Sequence, residues 1–452
     1  MRIPTNMLNF RMVRAAGTMS AAALLLLAAC SSLLDVKNPN SVGADALDVP
    51  GAAGAIINGG ENLTANALSS AYNAAVPASD EAYWVGSRDD YRLLDSGGFD
   101  AVANEYVQSG YIQVSQARWM ANQAIIKIEG FNTAGNLLDK QLLVRAYLNA
   151  AIIYTLIGDI YNNVAFSDRT VAGPDYGEAQ MSAVYDSAAA WLTKAQPLAL
   201  GSLKPAVLGM RARVLHSKAV WQKLNPKGTT PASPLVSGVA LAADATAALA
   251  LMSGDYRYEA LTTDLNRGDG SGGGFGFEMN SRIEYTPNQN LATIDPNSGK
   301  PTAVIATDPV TGLVDAAAVK QINRIIHAAN PDINNPPMAQ VSEREMRLII
   351  AEDALATGNT GGFDTAINGL RAMDGKAAYT GVGPTRLALL QWERRINLIF
   401  QGRRLNDMYR FGVKDPLWLA NSVAFRLPGC FFPIPQIEID SNKLLSGVTV
   451  CK

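Results

Sequence analysis

Histidine, cysteine and charge are scarce in this chain, and each scarcity closes off a class of function. Two histidines, His216 and His327, stand far apart in 452 residues. Neither has a second histidine at a ligand-like spacing, so no metal site of that kind is implied. Charged residues make up 17% of the chain and the net charge is -2. There is therefore no basic field to recruit nucleic acid and no acidic run to suggest a disordered tail. No Gly-x-Ser-x-Gly elbow and no phosphate-binding Gly-x-x-x-x-Gly-Lys occurs, and the glycines around Gly272 lack the strand-to-helix setting of a dinucleotide site. Asp264, Asn266 and Asp269 loosely resemble a calcium loop, but its fifth position is Gly268 and no glutamate stands at the twelfth. With 40 acidic residues some carboxylate pair for glycoside hydrolysis is always available, so their number argues nothing. No metal, no cofactor and no enzymatic activity is expected.

Long apolar runs are also few. Residues 19–28 form one, preceded by Arg2, Arg11 and Arg14 and leading through Leu27-Ala28-Ala29 into Cys30. A positive start, a short apolar stretch and small residues before a cysteine are the layout of a lipoprotein signal peptide. The run falls short of the ~20 residues a membrane span needs. Residues 1–29 are expected to be removed, leaving Cys30 acylated as the first residue of the mature chain. Several acyl chains, at roughly 0.8 kcal/mol per buried methylene, make such an anchor effectively permanent. No second apolar run is expected to cross a bilayer. Once Cys30 carries lipid, Cys430 and Cys451 remain, and in an exported chain they are expected to form a structural disulfide.

What the sequence has in quantity is alanine, leucine and other small apolar residues, in segments of helical period. In 141–161, Leu143, Ala146, Tyr147, Ala150, Ala151, Tyr154 and Ile157 recur at three- and four-residue steps, the mark of one buried helix face. The spans 117–131 and 141–161, 181–198 and 205–224, 237–252, and 342–357 and 363–373 read as helices, mostly in pairs. Such pairs resemble degenerate tetratricopeptide repeats, although no 34-residue period survives. The expected fold is mainly α: a scaffold of tetratricopeptide-like pairs with long loop insertions and a few short strands. A lipidated tether, 30–40, precedes a single domain, 41–452. Residues 254–335, rich in Gly, Asn, Asp, Pro and Thr, read as a loop-rich insertion with strand-like runs at 275–279 and 303–306. Residues 38–110 read as mixed.

The last third carries a more specific pattern. Glu393-Arg394, an apolar run, Gln401-Gly402, and then Arg404, Asp407 and Arg410 resemble the signature of the SusD/RagB family of outer-membrane nutrient-binding lipoproteins. Asn397 and Gln401 stand where that family usually has glutamates. Phe432-Pro433-Ile434-Pro435 through Asp440 looks like the family's closing segment, and Leu34-Asp35-Val36 with Asn38-Pro39 like its mature start. The resemblance implies a SusD-like fold, a place at the cell surface of the outer membrane, and capture of a glycan, with peptide as the second ligand class. It also implies a TonB-dependent β-barrel transporter (SusC-like) as partner, on which such proteins sit as a lid. Read physically, Glu393, Arg394, Gly402, Arg404, Asp407 and Arg410 are structural. Trp392, Ile396, Ile399, Phe400 and Arg403 fall on one helical face, Gly402 lets a neighbour pass closely, and Asp407 can reach Arg404 or Arg410.

For ligand contact the candidates are Tyr83, Trp84, Arg88 and Tyr91, which lie beside Asp80 and Glu81. Sugar rings present a flat C–H face and a rim of hydroxyls, and aromatic faces beside charged groups match both. The same residues would also suit a core, with Asp80 capping a helix. Two other functions fit the composition: a repeat-type lipoprotein scaffold for envelope assembly, and a surface glycan hydrolase.

Overall fold

The computed structural model describes residues 44–168, 171–263, 274–326, 334–447 and 451. Cys30, the tether, His327 and the loosely calcium-like stretch from Asp264 to Asp269 lie outside the described residues. The segment ending at Ala52 contributes two short helical turns, Ala44–Leu47 and Pro50–Ala52. The rest of the fold belongs to the unit that begins at Ala53.

Apolar stripes of helical period have to be covered, and here they cover one another. Helices α1 (Ala53–Ala75), α3 (Glu105–Thr133), α4 (Gln141–Ile160), α5 (Ser182–Ala195), α6 (Leu203–Leu224), α7 (Val239–Leu249), α10 (Glu343–Ala356) and α11 (Thr360–Ala372) each pack on the next. This is the mainly α scaffold of helix pairs that the sequence predicts. Asn104 starts α3 by accepting from the backbone N–H groups of Tyr106 and Val107 at 3.0 and 3.2 Å, and Ser342 caps α10 through Glu345 N at 3.1 Å. In α4 the residues from Leu143 to Ile160 are almost all buried, each large one contributing roughly 1.5–3 kcal/mol. Helix α4 is long and apolar enough by composition to cross a membrane, but 94% of its 18-residue apolar window is buried inside the fold, which marks it as a core helix. At Gly158 a Cβ would stand 2.4 Å from the ring of Tyr185, so this residue sets how closely α5 approaches α4.

Helix α1 was not legible as such. It carries Gly54, Gly59 and Gly60 and several asparagines, all weak helix formers. Its buried side, with Ala65, Leu68, Ala71 and Tyr72, lies on α3, and tertiary contact overrides propensity.

The insertion is tied down at both ends. Strands β2 (Arg257–Ala260) and β6 (Met338–Ser342) pair antiparallel, with a bulge at Tyr258/Glu259. Between them come α8 (Phe275–Asn280), β3 (Tyr285–Pro287), β4 (Ala292–Ile294) paired with β5 (Pro301–Val304), and α9 (Ala316–Ile326). The run at 275–279 is therefore helix, not strand, whereas 303–306 overlaps β5. Strand β3 pairs antiparallel with β1 (Ala82–Trp84), which is followed by the short helix α2 (Asp89–Asp95).

The signature segment is not one helix. It is α12 (Arg386–Asn397) and α13 (Arg404–Phe411), separated by a turn in which Phe400 has φ 59° and Gly402 φ 68°. The expected single face from Trp392 to Arg403 is broken there. A Cβ on Gly402 would lie 2.6 Å from the Tyr72 ring, and that close approach fixes the corner. Beyond it come α14 (Val423–Arg426), α15 (Gln436–Ser441) and a last helical turn at Lys443–Leu445. Cys430 and Cys451 are disulfide-bonded. The proline-bounded tail crosses the end of α4, with Phe432 N donating to Ile160 O and Asn162 N to Phe432 O, both at 3.0 Å.

Candidate functional site

The charged residues of the signature are buried, and nearly all of them find partners. Asp407 accepts from Arg394 Nε at 2.8 Å and from Arg410 Nε at 2.9 Å. Both arginines also face Glu352 of α10, Arg410 through a short ion pair and Arg394 at 3.4 Å. Burial opposes ionisation of Glu352, but Arg410, His216 and Arg394 outweigh it and hold its carboxyl well below the usual range. Burial lowers His216 despite its 2.9 Å contact with Glu352. Glu393 forms a second centre with Arg371 at 2.8 Å and Lys376 at 3.0 Å. Asn397 joins this centre to a third. It donates to Glu393 Oε2 at 3.1 Å and accepts from Arg344 at 2.7 Å, and Arg344 also pairs with Asp255 and Asp374.

Asp407 does not reach Arg404. That arginine turns the other way and binds both oxygens of Asp80, at 2.6 and 2.8 Å. Arg395 also approaches Asp80, and donates to Asn290 at 2.8 Å. Asp80 is thus an ion-paired anchor rather than a helix cap. Beside it, Glu81 accepts from Phe400 N at 2.9 Å. Burial pushes the Glu81 carboxyl up to about 8, with the charge of Asp80 adding to the effect. The signature corner therefore grips the two residues that lead into β1.

Strand β1 carries the predicted ligand residues. Tyr83 and Trp84 are half-buried, and Trp84 N donates to Asp95 Oδ2 at 3.2 Å. The loop that follows wraps round one carboxylate. Glu284 accepts from Ser87 N and Arg88 N, both at 2.9 Å, and its carbonyl accepts from Val85 N and Gly86 N. A Cβ at Gly86 would meet Glu284 Oε2 at 2.2 Å, so glycine is required for this wrap. Arg88 keeps a partly exposed pairing with Glu105 at 3.4 Å. Tyr91 requires a correction: it is fully buried, stacked on Tyr106 with ring centroids 3.6 Å apart and edge-on to Tyr285. It supports the strand pair from beneath and has no face to offer a ligand.

The structure thus leaves Tyr83, Trp84 and Arg88 half-buried on β1 and the loop after it, with Tyr83 and Trp84 on opposite faces of the strand, and removes Tyr91 to the core. Sequence reading missed Glu284, which sits 196 residues from Arg88, because nothing local marks a lone glutamate as the hub of a distant loop. No group of three metal-ligating side chains occurs among the described residues.

No protein-family model matches this sequence, and no curated protein sequence matches it. Solved structures do. A SusD superfamily protein from Bacteroides thetaiotaomicron VPI-5482 superposes with a TM-score of 0.58 at 15% identity, over 88% of this chain and 98% of that one. Surface glycan-binding protein A from Bacteroides uniformis gives 0.52 at 15%, over 83% and 93%. A laminarin-binding SusD-like protein gives 0.52 at 14%, over 86% and 97%. Likeness at these identities is a statement about fold, and the fold is SusD-like, in agreement with the motifs at Glu393–Arg410 and Phe432–Asp440.

Proposed function

We propose that this chain is a SusD/RagB-type glycan-binding lipoprotein. In this reading, lipid on Cys30 holds it at the cell surface of the outer membrane. There it captures oligosaccharide without cleaving it and passes it to a TonB-dependent β-barrel transporter. The observation that carries the reading is that Tyr83, Trp84 and Arg88 stay only half-buried on a segment held by Arg404 on Asp80 and by Glu284 on the 85–88 loop. Partly exposed aromatic and guanidinium groups on rigid supports suit a ring with an apolar face and a hydroxyl rim. Two proteins of the same fold that bind glycan and laminarin support the choice of ligand class.

The test is calorimetric titration of the full-length chain with a panel of β-1,3-, β-1,4- and α-1,4-linked hexasaccharides. Trp84→Ala should raise Kd about tenfold or more, a loss of roughly 1.4 kcal/mol, with far-ultraviolet circular dichroism unchanged. Should Trp84→Ala instead melt early, the variant Arg88→Ala gives the binding readout. Binding that survives in both folded variants would retire this segment as the site. Binding of oligopeptides but of no saccharide would overturn the ligand class, and release of reducing ends by the purified chain would overturn capture without cleavage.

A further inference from the structure

A cavity of about 480 Å³ opens where α1, α3, the 165–168 segment and α15 meet, lined among others by Leu63, Arg118, Trp119, Ser167, Asp168 and Glu438. Its volume lies within the roughly 300–1,000 Å³ typical of small-molecule sites. Leu63 and Trp119 give it an apolar wall, and the remaining four give it polar groups.

These groups are held by one another. Trp119 Nε1 donates to Asp168 Oδ1, which fixes the plane of the indole. Arg118 is 7% exposed, donates to the Ser167 carbonyl and lies 5.0 Å over the Phe166 ring. Ser167 Oγ donates to Glu438 Oε1 at 3.2 Å, and Asn442 approaches the same oxygen at 3.4 Å. A buried arginine, an oriented indole and a carboxylate held from two sides form a wall that loses little freedom when a ligand arrives.

The cavity is distinct from the β1 segment. Tyr106, stacked on Tyr91 behind that segment, and Trp119 are thirteen residues apart on α3, which is about 20 Å along a helix. A disaccharide is too short to bridge the two.

We propose that this cavity is a second carbohydrate site, in which the Trp119 indole takes the C–H face of a sugar ring while Asp168 and Glu438 accept from its hydroxyls and Arg118 donates to them. This inference rests on the carbohydrate reading proposed above, but assigns a place that reading does not use.

The experiment titrates neutral disaccharides (laminaribiose, cellobiose and maltose) into the full-length ¹⁵N-labelled chain, and follows the indole N–H signals. Trp119 should shift saturably with at least one of them. Trp119→Ala should abolish the responses around the cavity while the Trp84 signal still responds, and Trp119→Phe, which keeps an aromatic face, should restore part of the binding. A response at Trp84 with none at Trp119 would overturn this inference and leave the carbohydrate reading standing. Silence at both, with these disaccharides and with the hexasaccharide panel, would sink the two together. A Trp119 response to oligopeptides alone would overturn the assignment of a sugar.

Discussion

Arg404 binds both carboxylate oxygens of Asp80 at 2.6 and 2.8 Å across 324 residues of sequence. The pair couples the first turn of α13 to the entrance of β1, so the most recognisable motif of the chain supports the strand that carries Tyr83 and Trp84. Burial disfavours the Asp80 charge, yet Arg404 and Arg395 hold its carboxyl below the usual range. Removing the arginine should leave a buried anion short of its main partner. Arg404→Met is expected to cost about 3–5 kcal/mol in urea unfolding, whereas the double variant Arg404→Met/Asp80→Leu should recover most of that loss. A single variant within 1 kcal/mol of the parent would show that the pair is not a structural anchor.

Gly402 stands at φ 68° with Tyr72 against it. An added methyl group meets both a left-handed backbone and a fully buried ring. Gly402→Ala should therefore destabilise by about 2 kcal/mol or more, the sum of a conformational and an overpacking cost. Gly130, with open space around its Cβ position in the last turn of α3, is the control: Gly130→Ala should be neutral or stabilising by up to about 1 kcal/mol. Equal effects at both positions, read as shifts in urea midpoint, would refute the account of the corner.

Glu81 provides a pH test whose sign is opposite to that of most carboxylates. Burial raises its folded pKa from the ordinary 4.5 to about 8, so the folded chain keeps a proton that the unfolded chain releases. Its contribution to stability is full below about pH 4.5 and is lost as pH rises toward 8, at up to about 1.4 kcal/mol per pH unit. Glu352 and Asp407, whose folded pKa values are depressed, act in the other sense and lose their contribution only as pH falls through their own range. Between pH 5 and 8 the urea midpoint of Glu81→Gln should therefore fall less than that of the parent. The amide mimics the protonated acid and can still accept from Phe400 N. Parallel curves would show that Glu81 does not hold its proton.

The helical row was legible because it is written in local periodicity: Leu143, Ala146, Tyr147 and Ala150 announce α4 without reference to anything distant. Helix α1 was hidden by Gly59, Gly60 and its asparagines, since its stability comes from α3 rather than from its own residues. The signature showed that Glu393, Arg394, Arg404, Asp407 and Arg410 belong together, but not which charges meet. Spacing along a helix allowed an Arg404–Asp407 pair, and only the turn at Phe400 and Gly402 points Arg404 toward Asp80 instead. For the candidate site, composition marked the stretch from Asp80 to Tyr91, but the separation of Trp84 from Tyr91 depends on the pairing of β1 with β3. That pairing brings in Tyr285 and Glu284 from about two hundred residues away, and no local pattern carries it.

Asn397 is the position where this chain leaves the family pattern at the greatest physical consequence. Its amide uses both of its faces, donating to Glu393 Oε2 at 3.1 Å while accepting from Arg344 at 2.7 Å. A glutamate keeps the acceptor for Arg344 but turns the donor into a second anion beside Glu393, which burial already raises despite Lys376 and Arg371. Asp308, Asp315, Asp255 and Asp374 already surround the same cations, so no cation is free of acidic partners to neutralise a further one. Asn397→Glu should therefore be destabilising at pH 8, by about 1–3 kcal/mol for the unmatched buried acceptor and more if both carboxylates stay ionised. The loss should shrink at pH 5, where one carboxyl can hold a proton and restore the missing donor. Asn397→Gln, which keeps both faces at a longer reach, separates charge from fit by losing stability equally at both pH values. A glutamate variant as stable as the parent at pH 8 would mean that the two centres tolerate another charge, and that asparagine here does not serve to balance them.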